Sequence, residues 1–266
     1  MMRVLAAEFL KLKRSRMPLW SGLIVLVAGG LGLAVLPVLS DPATQAQIAK
    51  GGGVFAKAVA AGAYSPTWTN YLLIGLQGMS GSWGVLTFGF VTAYLFGREF
   101  KEGTAKSMLT LPIRREYMVL AKMVALAVWV LCLGALSVLV TMGTATALGV
   151  GGFSWARVLK NVIDTLGVTT LLYLTLPFVA WFAMLGRGYL PPMLYSLAVM
   201  MVGNALVETP LSSWVPWNMP LHLVGASWYP VPPSALTAGS WAIAVIFFLA
   251  GLAALVWRVD HADSAV

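Results

Sequence analysis

An all-α, polytopic membrane fold is what this sequence predicts, and three observations carry the prediction. Of the 266 residues, 59% are hydrophobic and only 10% are charged, where a soluble domain carries about 25% charged residues. Six apolar stretches, 19–39, 70–96, 117–142, 161–186, 190–207 and 235–257, are each long enough to cross a hydrocarbon core of about 30 Å at 1.5 Å per residue. The positive charge is also lopsided. With both termini in the cytoplasm, thirteen of the seventeen Lys and Arg lie inside and only Lys50, Lys57, Arg157 and Lys160 lie outside, as the positive-inside rule requires. These observations describe one transmembrane domain over 1–266, with six transmembrane helices, an N-terminal interfacial helix and no room for a separate soluble domain.

Residues 2–17 open the chain as an amphipathic segment. Leu5, Phe9 and Leu12 recur at i, i+4 and i+7, Glu8 interrupts what would otherwise be a plain charge run, and Arg3, Lys11, Lys13, Arg14 and Arg16 occupy other faces. This suits a helix lying in the headgroup plane; a disordered basic arm is the plainer alternative. The next apolar run exceeds the roughly 7–15 residues of a cleaved signal segment, so 19–39 is read as a retained first span. Residues 40–69 read as an outer loop centred on Gly51, Gly52 and Gly53.

Span two carries Gly75, Gly78, Gly81 and Gly84 with Ser80 and Ser82. Small residues let transmembrane backbones approach closely, either within the monomer or at a dimer face. Polar residues within spans are costly in lipid and so are candidates to line a pathway: Gln77, Thr87, Thr92, Asp164, Thr165 and Asn204. The pathway or dimer-face set is thus Gly75, Gln77, Gly78, Ser80, Gly81 and Asn204. Asp164, beside Lys160, reads better as a Lys-paired residue near a helix start. Pro177 predicts a kink in span four, and Pro191 and Pro192 open span five. Residues 208–234, rich in Pro, Trp and Leu and free of Lys and Arg, read as an outer segment resting on or dipping into the leaflet, or as a lid over an exit path.

The most charged stretch runs from Tyr94 to Lys122. Arg98 and Glu102, and Glu102 and Lys106, are i,i+4 pairs of opposite sign, which support a helix by roughly 0.2–0.5 kcal/mol each. Phe96, Phe100, Met108 and Leu111 fall near one helical face, and Pro112 ends the run. The segment 97–112 therefore predicts a short charged helix between two spans, placed to be gripped by a soluble partner; a solvated loop that only sets topology is the bland alternative.

Several classes of chemistry are missing. No phosphate-binding G-x-x-x-x-G-K-[ST] loop exists; Gly51 to Lys57 lacks the glycine before the lysine. His222 and His261 are far apart, the single cysteine, Cys132, precludes an intrachain disulfide, and no catalytic or metal constellation can be built. A net charge of +8 points to anionic lipid rather than nucleic acid when the basic residues flank apolar spans. Carboxylates near the middle of the spans are almost lacking, which weakens ion-coupled secondary transport. A gradient-driven transporter and a membrane subunit that moves nothing both remain open readings.

Residues Glu99-Phe100-Lys101-Glu102-Gly103-Thr104-Ala105-Lys106, followed by Leu109, Leu111-Pro112, Arg114-Arg115 and Lys122, resemble the loop between spans two and three in permease subunits of ABC exporters of the second permease (ABC-2) type. Among these are the bacitracin- and lantibiotic-type export permeases. Glu8-Phe9 with Lys11 and Lys13 resembles their interfacial helix, and Arg114-Arg115 stands where many members have Ser-Arg. The resemblance implies a transporter subunit that is not itself an enzyme. It implies docking of a separate ATP-binding subunit, in two copies, on a coupling helix made of Arg98, Glu99, Phe100, Lys101, Glu102, Gly103, Thr104, Lys106 and Met108, with Pro112 setting the return angle. It further implies ATP and Mg bound by that partner alone, a second permease chain, identical or related, and a bacterial plasma-membrane location. The expected cargo is amphipathic: a peptide, an antibiotic or a lipid-like molecule.

Overall fold

Each of the six apolar stretches carries a helix in the computed structural model, which describes residues 2–34, 36–51, 56, 59–60, 62, 64–104, 114–207, 209–225 and 236–261. Among the described residues there is no β-strand, only an isolated bridge between Thr67 and Gly151. The helices are α1 (Met2–Arg14), α2 (Met17–Ala34), α3 (Leu36–Leu39), α4 (Pro42–Gly51), α5 (Trp68–Gly81), α6 (Trp83–Lys101), α7 (Arg115–Ala147), α8 (Trp155–Leu185), α9 (Leu190–Leu206), α10 (Met219–Val224) and α11 (Ala238–Asp260). Helices α7, α8 and α11 are each long and apolar enough to cross a membrane, the bent pair α5 and α6 is so only when its two helices are taken together, and Met17–Gly30 and α9 are shorter apolar helices.

The elements depart from the sequence expectation in three places, each for a local reason. The expected outer loop 40–69 contains α4. Asp41 Oδ2 accepts from the Thr44 backbone N–H at 3.0 Å and Pro42 occupies the first helical position, a start signal masked in the sequence by the following glycines. Span two is not one helix: it breaks at Ser82 (φ −136°, ψ −90°) with a bend of 45°. A Cβ on Gly84 would lie 2.1 Å from the Met79 carbonyl oxygen, so only glycine tolerates the tight return. The Pro/Trp-rich segment carries a 3₁₀ turn (Pro210–Trp214) and α10, and its residues 209–225 fold back among the helices; residues 226–234 lie outside the described residues. Met219 and Leu221 are buried, Gln77 Nε2 donates to the Gly225 carbonyl at 2.8 Å, and Asn218 Nδ2 donates to the Gly203 carbonyl at 3.0 Å. Helix α8 runs through Pro177 without interruption.

Most of the polar pathway candidates satisfy their own helix. Thr87, Thr92 and Thr165 donate to the carbonyls of Trp83, Phe88 and Asn161 at 2.6–2.7 Å, the back-bonded geometry that shields a hydroxyl from lipid. Ser80 donates to the Gln77 carbonyl at 3.0 Å, and Asp164 pairs with Lys160. Asn204 is half-buried on α9.

The glycines of α5 serve packing within the chain. Gly81 faces Leu221, Gly78 faces the Trp83 indole, and Gly75 abuts Thr141 of α7. The main core runs along α5, α6, α7 and α8 through Met79, Phe88, Leu95, Met123, Leu126, Leu172 and Val179. Exposed Leu139, Ile163, Leu166, Leu190 and Ile246 form the apolar exterior of a multi-pass bundle. Arg115 Nη1 donates to the carbonyls of Val259 and Asp260 at 3.1 Å, which brings the end of α11 beside the start of α7. Helix α1 reaches the same end of α7, so both ends of the described chain lie at one end of the bundle.

The Gly75 contact is directly testable. A Cβ there lies 2.6 Å from Thr141 Oγ1 but 3.5 Å from Thr141 Cβ. Gly75→Ala is therefore expected to destabilise the detergent-solubilised protein by about 1–3 kcal/mol, and adding Thr141→Ala to recover most of that loss, as read from thermal melting midpoints.

Candidate functional site

Four charged side chains from three helices meet at the end of the bundle that carries both chain ends. Helix α1 contributes Glu8 and Lys11, α6 contributes Glu99, and α7 contributes Lys122. Lys122 Nζ lies 2.7 Å from Glu99 Oε1 and 3.5 Å from Glu8 Oε2, and donates to the Leu95 carbonyl at 2.9 Å. Lys11 Nζ lies 2.7 Å from Glu8 Oε1 and 3.3 Å from Glu99 Oε1. Glu8 and Lys122 are buried, at 2% and 5% exposure, and the Lys122 ammonium sits 5.7 Å from the centre of the Phe96 ring. Two positive and two negative groups balance, which is the condition for holding charge away from water.

Local structure explains the arrangement. Leu12 buries its side chain against the core and so turns Glu8, one helical turn earlier, inward with it. The same helix leaves Phe9 exposed and Leu5 half-buried, so α1 lies on the bundle by one face instead of floating beside it. It ends at Arg14, three residues short of the predicted segment, where Ser15 Oγ caps back onto the Leu12 carbonyl at 2.8 Å.

Helix α6 stops at Lys101. The backbone N–H of Glu102 donates to the Arg98 carbonyl, and Gly103 adopts φ +69°, a left-handed terminus that glycine provides at little cost. Residues 97–101 of the predicted coupling helix are thus the last turn of a span rather than a separate helix. Lys106, Met108 and Pro112 lie outside the described residues. The expected pair of Arg98 and Glu102 forms, at 2.8 Å, and Arg98 also sits over the Tyr94 ring. Phe100 is half-buried, while Lys101, Glu102, Gly103 and Thr104 are exposed. The motif therefore has two faces: Glu99 turns into the cluster and Lys101–Thr104 turn outward. A recess of about 160 Å³ opens between them, lined among others by Glu8, Lys11, Arg98, Glu99, Glu102, Thr104 and Lys122.

Two groups of predicted residues are brought together here, the α1 face and the α6 terminus. The pathway or dimer-face candidates are not: Gly75 abuts Thr141 of α7, and Gln77 and Gly81 meet Gly225 and Leu221 of the segment 209–225. Lys122 is the residue that sequence reasoning undervalued. It was counted as one of the basic residues opening a span, yet an ionisable residue eight positions into a run as apolar as 115–147 is itself a functional-site signal.

For Lys11, burial acts to lower the pKa, but the hydrogen bond and charge of Glu8 and the charge of Glu99 outweigh it and raise it above the ordinary 10.5. The cluster contains no nucleophile placed beside a base. Its ion pairs tie α1 and α7 to the terminus of α6.

A sequence profile for ABC-2 family transporter proteins matches residues 4–203. The bacitracin transport permease protein BCRB of Bacillus licheniformis is 24% identical over 177 residues, covering 66% of this chain and 85% of its own. No solved structure matches the chain significantly.

Two outcomes test the cluster. Lys122→Met leaves Glu8 and Glu99 without their buried partner and is expected to cost about 3–5 kcal/mol. Adding Glu8→Gln and Glu99→Gln is expected to restore much of it, measured by thermal unfolding in detergent. Because the folded-state pKa of Lys11 is raised, its pairing contribution is fully present below pH 10.5 and is lost as pH climbs through the raised value. Lys11→Met is therefore expected to abolish a fall in melting temperature above pH 10.5 and to leave the profile below it unchanged in shape.

Proposed function

The chain belongs to the ABC-2 family of transporter proteins, and from that premise we propose that it is the membrane permease of an ATP-driven exporter, powered by a separate ATP-binding subunit that docks on the turn Lys101–Thr104. In this reading the bundle crosses a bacterial plasma membrane six times, with both termini and the docking turn in the cytoplasm. Two ATP-binding subunits, holding ATP and Mg, serve a pair of permease chains. The observation that carries the reading is the division of the α6 terminus. Its outer face, Lys101, Glu102, Gly103 and Thr104, is exposed, and its inner face, Glu99, is tied to α1 and α7.

The physical consequence is a lever. A thrust on the outer turn bears on Glu99, which cannot move without dragging Lys11 and Lys122. The alternative of leaving those charges unpaired is costly in a low-dielectric setting, so the three helices move together. The relative named for bacitracin transport and the apolar character of the spans support an amphipathic peptide or antibiotic as cargo, with self-protection as the benefit to the cell.

The test is purification of the tagged chain from cells expressing the ATP-binding subunit. The wild-type chain is expected to co-elute with that subunit and to raise its ATP turnover. Glu102→Lys, which reverses a charge on the outer face without touching the cluster, is expected to lose most of both. Unchanged co-elution and turnover in that variant would remove the docking assignment.

A further inference from the structure

The turn joining α1 to α2 carries three basic side chains that the lever does not use. Lys13, Arg14 and Arg16 are exposed and have no acidic partner among the described residues. On α1, Lys13 stands one turn beyond exposed Phe9, and Arg14 one turn beyond exposed Leu10. Arg16 is continuous with α2, since its carbonyl accepts from the Trp20 backbone N–H at 3.1 Å. It therefore caps a stripe of exposed apolar side chains, Trp20, Leu23 and Val27, at 52%, 42% and 47% exposure, spaced to face one direction.

Every basic residue of the turn is thus paired, at helical spacing, with a large apolar side chain facing outward. A soluble partner would leave that apolar stripe in lipid or water, and a free phosphate would ignore it. An anionic phospholipid satisfies both halves at once, its phosphate among the cations and its acyl chains along Trp20, Leu23 and Val27. We infer that the turn Lys13–Arg16 and the adjoining stripe of α2 form a binding site for an anionic phospholipid of the leaflet on that side. Its place matters: α1 is clamped at Glu8 and Lys11, a turn or two from the bound headgroup, so the lipid braces the same helix that the lever moves. The inference needs only a bilayer around the bundle and stands apart from the ATPase partnership.

The test uses the purified full-length chain in nanodiscs, without any ATP-binding subunit. The probes are phosphatidylglycerol and phosphatidylcholine brominated near the headgroup. The difference between the wild-type and Trp20→Phe signals isolates quenching at Trp20. Quenching is expected at a mole fraction of phosphatidylglycerol at least about fivefold lower than of phosphatidylcholine, the scale of one basic residue at an anionic surface. The triple variant Lys13→Gln, Arg14→Gln, Arg16→Gln is expected to lose that preference, and the charge-conserving Lys13→Arg, Arg14→Lys, Arg16→Lys to keep it. Soluble glycerol phosphate is expected not to compete. Equal quenching by the two lipids in the wild type, or a preference that survives the triple Gln variant, would overturn the site. So would a Trp20 shielded from both lipids, which would mean that another protein surface covers the stripe.

Discussion

Charge does not stay buried alone. The cost of removing a carboxylate or an ammonium from water is several kcal/mol even after relaxation, and in this protein that cost is met by a closed set of four. Glu8, Lys11, Glu99 and Lys122 neutralise one another across three helices. The packing at that end of the bundle follows from their neutrality. Helix α1 lies on the bundle because Glu8 must reach Lys122. The start of α7 is held against the end of α6 because Lys122 must reach both Glu99 and the Leu95 carbonyl. The exposed turn beyond Lys101 is consequently joined, on its α6 side, to this ion-paired junction.

The opposite half of the bundle is organised by space instead of charge. The break at Ser82 opens a wedge in span two, and the re-entrant segment fills it: Leu221 rests on Gly81 and the Gly225 carbonyl takes the Gln77 amide. Backbone groups of a buried irregular segment need hydrogen-bond partners within the protein. Asn218, bonded to the Gly203 carbonyl and to Ser212 Oγ, supplies part of that satisfaction. Of the polar side chains in the spans, Gln77, Thr87, Thr92 and Thr165 each hold a hydrogen bond within the chain.

Some of this was legible in the residues and some was not. The charged stretch after Tyr94 was visible because its charges interrupt a long apolar sequence, and the family it resembles is the one whose profile matches the chain. The continuity of that stretch with span two was not visible, because Arg98 and Glu102 support a helix equally well whether it is new or continuing. Glu8 was noticed as an oddity in a basic run, but nothing local indicates that its partner lies more than a hundred residues away in Lys122. The helix 42–51 is hard to read from sequence because its start signal, Asp41 and Pro42, is followed by Gly51, Gly52 and Gly53, which disfavour a helix.

What the sequence by itself determined is the class: an all-helical, multi-pass permease-type chain, with its spans marked by hydropathy and its charged turn by composition. Those are properties of single segments in their solvent, and solvent preference is written in each segment's own residues. What only the tertiary structure decided is which charges pair, where span two breaks and which polar groups turn inward. Each of these depends on a second segment distant along the chain arriving within a few ångströms, and the free energy of a buried contact belongs to both partners at once.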